Sequence, residues 1–122
     1  MESYRDLKIW AISIDLAAFI LKLNGQESMS AFKDLGSSLS DSAILISSGI
    51  AVAWEKTDPE IKALEMEKII SETYRLESLI FLAARMGLIQ DKSLSDIFRI
   101  IIEERKMLNE LIQNLARRTE IG

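Results

Sequence analysis

Glu65, Glu67, Glu72 and Glu77 are the side chains of this 122-residue chain that most invite a chemical reading. Carboxylates gathered on neighbouring helical turns can hold a magnesium ion, as they do in bundle-type nucleotide pyrophosphohydrolases. The spacing argues against it. Helical side chains converge from positions three or four apart, whereas these four succeed one another at intervals of two, five and five. Lys68 and Arg75 stand between them, which points to ion pairs on a helix surface. Ferritin-like metal sites need Glu-x-x-His pairs, and the chain has no His and no Cys. That composition also removes disulfides, thiolate nucleophiles, imidazole bases and most zinc sites. Serines are plentiful, but no lysine is placed to activate one and no glycine-rich phosphate loop occurs. The expectation is a chain with no catalytic residues, no metal and no cofactor.

Basic residues gather toward the C-terminal end at Arg99, Arg105, Lys106, Arg117 and Arg118. Glu103, Glu104 and Glu110 interleave with them, the pattern of a solvated, salt-bridged helix, and Arg117 and Arg118 suit a helix C-terminus through the macrodipole. The alternative is a nucleic-acid contact by Arg105, Lys106, Arg117 and Arg118, concentrated by assembly into a ring. A net charge of −4 discourages polyanion binding. Trp10 and Trp54 read as core or interface anchors rather than as platforms for stacking bases.

The elements that must position these residues are helices. One Pro and five Gly leave few breakers. Ser3 with Asp6 resembles a capping box opening a helix over 4–23, stopped by Asn24-Gly25. Ser28 or Ser30 can cap a second helix over 29–55. Asp58 before Pro59 is a strong start for a third over 59–86, with Gly87 in the left-handed position after it and Leu88 as the next apolar contact. Asp91 or Ser93 caps a fourth over 92–118. Apolar residues recur at three and four in Leu35, Leu39, Ala43, Ile46, Ile50 and Ala53, and again in Ile69, Thr73, Leu76, Ile80 and Ala83. The fourth segment carries the row Leu94, Ile97, Ile101, Leu108, Leu111 and Leu115, interrupted near Arg105. The fold class expected is all-α: one domain over residues 1–122, an antiparallel up-down-up-down four-helix bundle.

The faces that should be wet are too apolar for a monomer. On the first helix only Lys8, Asp15 and Lys22 form a polar stripe, and Ile12, Leu16 and Phe19 lie on apolar flanks beside it. A helix apolar nearly all round must be buried nearly all round. Opposite the core row of the second helix stand Ser37, Ile44, Ser48, Ala51 and Val52, with Leu45 alongside. The sequence therefore predicts a homo-oligomer whose subunit interface uses Ile44, Leu45, Ser48, Val52, Ile12, Leu16 and Phe19. Residues 42–54 are uncharged for only 13 positions, short of the roughly 20 a membrane-spanning helix needs. The N-terminus MESYRDLKIW lacks a basic n-region and a small-residue cleavage site, so a cytoplasmic location is expected.

These residues also resemble a known family, the four-helix-bundle proteins encoded within intervening sequences of bacterial 23S rRNA genes. YRDLKIW at 4–10 is similar to the family's opening motif. Leu35, Ser37, Leu39, Ala43, Ile46, Ser48, Ile50, Ala51 and Trp54 fall in register with its second-helix signature. ESLIFLAARMGLI at 77–89 is similar to its third-helix ending, and MLNELIQNL at 107–115 to its last helix. The resemblance implies a bundle assembled as a ring, with a pentamer favoured, and a likeness to the accessory variability determinant of diversity-generating retroelements, a basic pentamer that works with a reverse transcriptase and nucleic acid. It implies no enzyme. The chain departs from the pattern where the family commonly has two basic residues and this sequence has Ser40 and Asp41; Ser47, Gly49 and Val52 replace a common Pro, Asn and acidic residue. Phosphate contacts rest on Lys and Arg, so the loss of that pair argues against RNA binding. The expected role is a protein-binding or scaffolding module, with a nucleic-acid-associated accessory protein as the alternative.

Overall fold

The computed structural model describes residues 2–121. Among them the chain is all-helical, with four helices and no strand, consistent with a four-helix bundle: α1 (Lys8–Asn24), α2 (Lys33–Trp54), α3 (Pro59–Arg85) and α4 (Asp91–Ile121), with short 3-10 turns at Tyr4–Asp6 and Glu27–Met29. The main packing is α2 on α3, α3 on α4 and α1 on α2, with a slighter contact between α1 and α4.

Punctuation residues set most of the boundaries. Asp58 Oδ1 accepts from the Glu60 N–H at 2.9 Å and Pro59 fills the first helical position of α3. At the other end of α3, Gly87 takes φ +74. The Leu88 N–H donates to Ala83 O and the Gly87 N–H to Ala84 O, both at 3.0 Å, a complete Schellman closure with Leu88 buried behind it.

Three starts differ from the sequence expectation. The Ser3–Asp6 capping box exists, but it closes a separate 3-10 turn; Leu7 is extended (ψ 129), and α1 begins only at Lys8. Neither Ser28 nor Ser30 caps α2. Ser28 sits inside the second 3-10 turn and the Ser30 hydroxyl donates back to Glu27 O at 2.6 Å, leaving α2 to start at Lys33 after Phe32 with no side-chain cap. The first bond of α4 runs from the Leu94 N–H to Gln90 O at 2.9 Å, so Asp91 and Ser93 lie within the helix, which continues past 118 to Ile121.

One core cluster draws on all four helices, with Leu16, Ile20, Leu39, Ile46, Ile50, Leu76, Ile80, Ile101 and Leu108 at 1% exposure or less. Gly49 lets α2 approach α3 closely, since a Cβ there would stand 3.1 Å from Ile69 Cγ1. The hydroxyls drawn into this core bond locally. Ser13 donates to Trp10 O (2.6 Å), Ser47 to Ile44 O (3.1 Å) and Thr73 to Ile70 O (2.6 Å), the back-bonding open to hydroxyls in helices. Ser42 instead reaches across to Glu72 Oε2 at 3.0 Å. At 22 residues, α2 proves long and apolar enough to cross a membrane by length and composition, contrary to the expectation drawn from its uncharged run. Packing between α1 and α3 encloses 44% of its apolar stretch and so accounts for part of that apolarity.

Candidate functional site

The interface residues expected on α2 are uncovered. Ile44, Leu45 and Val52 are 44%, 49% and 58% exposed, and Ser48 is exposed beside them with its hydroxyl turned back to Ile44 O at 2.8 Å. Positions 44, 48 and 52 stack at intervals of four, so they share the outer face of the helix.

On α1 the structure corrects the expectation. Leu16 is 1% exposed and belongs to the subunit's own core, while Ile12 and Phe19 are half-buried and Phe19 packs against that core. The apolar side chains α1 leaves in water are Ile14 (40%) and Leu21 (49%), one heptad apart on the flank opposite the one expected. A helix apolar on most of its circumference does not announce which flank its own bundle will take.

A second apolar surface, which sequence reasoning missed, lies on α3 and α4. Tyr74, Phe81, Leu82, Met86 and Ile102 are between 42% and 57% exposed, and Phe81 meets Phe98 across the two helices with ring centroids 4.4 Å apart. Phe81, Leu82 and Ile102 stand in apolar runs, SLIFLAA at 78–84 and IFRIII at 97–102, in which core and surface positions look alike.

Of the four candidate nucleic-acid residues, Arg105 is not available. Its side chain is 13% exposed, Nε donates to Thr73 Oγ1 at 3.0 Å, Nη2 lies 3.5 Å from Glu77 Oε2, and the guanidinium stacks 3.6 Å from the centroid of Tyr74. Lys106, Arg117 and Arg118 are exposed. Arg118 joins Lys56, Lys62, Thr57, Trp54, Glu2 and Glu55 around a cleft of about 340 Å³. There Lys62 Nζ sits 3.9 Å from the centre of the Trp54 ring, and the Trp54 indole N–H donates to Glu2 O at 3.1 Å. Burial, and then the charge of Arg118, lower the pKa of Lys62 against the opposing pull of Glu55. Trp10 and Trp54 both pack partly buried against the core.

Three of the four carboxylates that suggested a metal are spoken for by cations or hydroxyls, and Glu67 is exposed. Glu65 pairs with Lys68 at 3.0 Å, Glu72 with Arg75 at 3.5 Å and with Ser42, and Glu77 with Arg105. Among the described residues no group of three or more Asp or Glu is placed to hold a metal ion.

Glu104 is the unexpected acid. Rather than lying with Glu103 and Glu110 on a wet face, it is 0% exposed, and neither carboxyl oxygen has a hydrogen-bond partner. Burial first, and the neighbouring Glu103 second, raise its pKa from 4.5 to about 8. The spacing held the signal: Ile97, Ile101, Glu104, Leu108 and Leu115 step by four, three, four and seven, so the apolar row runs through 104.

Comparison of the chain with protein-family models, with curated proteins and with solved structures finds no match.

Proposed function

We propose that this chain is a non-catalytic helical-bundle protein of the 23S rRNA intervening-sequence type, acting as a protein-binding or scaffolding module after assembling with copies of itself. The observation that carries this reading is the bare outer face of α2. Ile44, Leu45 and Val52 form an apolar surface around small residues that let another helix approach closely, where a solvated helix would carry Lys and Glu.

Alternating helix directions fit the ties between helices. Asn24, ending α1, donates to Gly36 O at 2.6 Å and to the Ser40 hydroxyl near the start of α2. Trp54, ending α2, reaches Glu2 ahead of α1. Ser42 with Glu72, and Phe81 with Phe98, fit the same antiparallel register for the next two pairs. Interpolating between the two α1–α2 ties puts Ile14 at about the level of Ile44 and Leu45, which fits one surface shared by the exposed residues of α1 and α2.

The surface on α3 and α4 is a different one. Two unlike apolar surfaces on one subunit favour head-to-tail assembly, in which the α1–α2 side of each copy covers the α3–α4 side of the next and the chain of contacts closes into a ring. A two-fold dimer built on either surface alone would leave the other bare. A pentamer is the favoured ring, from the family resemblance. Light scattering on the eluted protein tests this: the wild type is expected to be a multi-subunit particle, and the Leu45→Asp, Val52→Asp double variant a monomer with unchanged helical circular dichroism. A wild-type monomer at micromolar concentration overturns the reading.

A second reading, a nucleic-acid-associated accessory protein, draws on the crowding of Lys62 and Arg118 beside Trp54 at one end of the molecule. Filter binding of RNA across a salt series decides it: phosphate contacts give a steep fall of log affinity with log salt, and a flat slope removes the reading.

A further inference from the structure

Glu104 has a geometry that an ordinary surface acid lacks. Its two chain neighbours fix where it points. Glu103 reaches Lys8 of α1 at 3.8 Å, and Arg105 reaches Thr73 and Glu77 of α3. Successive helical residues turn by about 100°, so Glu104 projects between those two directions, into the interior bounded by α1 and α3.

No cation meets it there. On α4, Arg105 is turned to α3 and Glu103 is a like charge that pairs outward. On α3, Glu77 is held by Arg105, and Glu72 by Arg75 and Ser42. On α1, Lys8 has its side chain 71% exposed and Asp15 is exposed. On α2, Lys33, Asp34 and Asp41 are exposed and the buried residues include no ionisable side chain. An ionised carboxylate with no partner is far more costly to bury than a neutral acid.

We infer that Glu104 sits in the closed bundle as the neutral carboxylic acid, and that closing α4 against α1 and α3 is coupled to holding this proton. The step is a plain acid dissociation. When the helices part, the Glu104 O–H bond breaks, its proton passes to solvent, and the carboxylate is hydrated. When they close, a proton is taken up. The α1–α4 contact, the slightest of the main helix pairings, is where the opening is expected first. This inference does not depend on self-association.

The sign is set by the direction of the shift. An acid whose folded pKa lies above its unfolded value contributes its full stability below the unfolded value and loses it as pH rises to the folded one. For Glu104 that window runs from 4.5 to about 8. Across it the folded-to-unfolded ratio falls by roughly a thousandfold from this group alone, and the contribution is flat above.

The test compares the intact wild-type protein with Glu104→Gln, which keeps the neutral, unpartnered state at every pH. Denaturant unfolding of both between pH 4 and pH 9 is expected to show the wild type losing stability relative to the variant as pH rises, with most of the loss before about pH 8. A wild-type-minus-variant difference that does not change with pH overturns the inference. Should Glu104→Gln fail to fold, carbon-13 NMR of the wild-type glutamate carboxyls decides in its place: one resonance titrating near pH 8 supports the inference, and all of them titrating between about 4 and 5 overturns it.

Discussion

Glu104 and Arg105 are consecutive charged residues, and the two are buried differently. Arg105 carries its charge to partners, stacked on Tyr74, bonded to Thr73 and, through an Nη2 that makes no hydrogen bond, ion-paired with Glu77 at 3.5 Å, so its methylenes and its guanidinium both contribute to the α3–α4 seam. Arg105→Ala is therefore expected to destabilise the protein by about 1–3 kcal/mol, seen as a lower denaturant midpoint, because Thr73 loses its donor and Glu77 its cation. Glu104 brings two unbonded oxygens into the core. Glu104→Leu, which removes them and continues the apolar row, is expected to stabilise the protein by roughly 3 kcal/mol or more at neutral pH. An unchanged midpoint in that variant would show that the acid finds a partner in the closed bundle.

At the scale of elements, the ends set by backbone-specific residues were legible and those set by tertiary contacts were not. Asp58-Pro59 and Gly87-Leu88 act through local chemistry, so their residue types alone place the limits of α3. Asp58→Ala is expected to cost about 1 kcal/mol through the lost cap. Gly87→Ala is expected to cost roughly 1–2 kcal/mol through left-handed strain alone, since a Cβ there meets nothing within 4 Å. Thermal or urea unfolding measures both. The Ser3–Asp6 box is a local signal of the same kind, but it cannot distinguish a 3-10 turn from the first turn of a long helix. Leu7 is extended directly after the box, and the chain end is held by the Trp54–Glu2 bond, a contact with a residue 52 positions away. The apolar rows gave the core faces of α2 and α3. They failed on α1, where Leu16 and Ile14 are equally apolar and only packing decides that one is core and the other surface. They failed again at Glu104, because a carboxylate among Glu and Arg reads as solvated whenever burial is judged from charge. The outer face of α2 was legible because small and aliphatic residues stand where charges belong; the α3–α4 surface was not, because apolar runs such as SLIFLAA at 78–84 and IFRIII at 97–102 do not show which of their side chains the core will take.

On the scale of the whole molecule, the proposed function turns on the outer face of α2 being covered by another copy of the chain. Assembly through it would make stability depend on protein concentration, since subunits that bind one another when folded shift the folding equilibrium by mass action. Diluting the wild type is expected to lower its melting temperature, and diluting the Leu45→Asp, Val52→Asp variant is expected to leave it unchanged. Sedimentation equilibrium of the wild-type chain over a dilution series is the most direct measurement. A mass several times that of one chain, collapsing to a single chain when Leu45 and Val52 are both made Asp, is the result expected; a single-chain mass for the wild type throughout the micromolar range would contradict it.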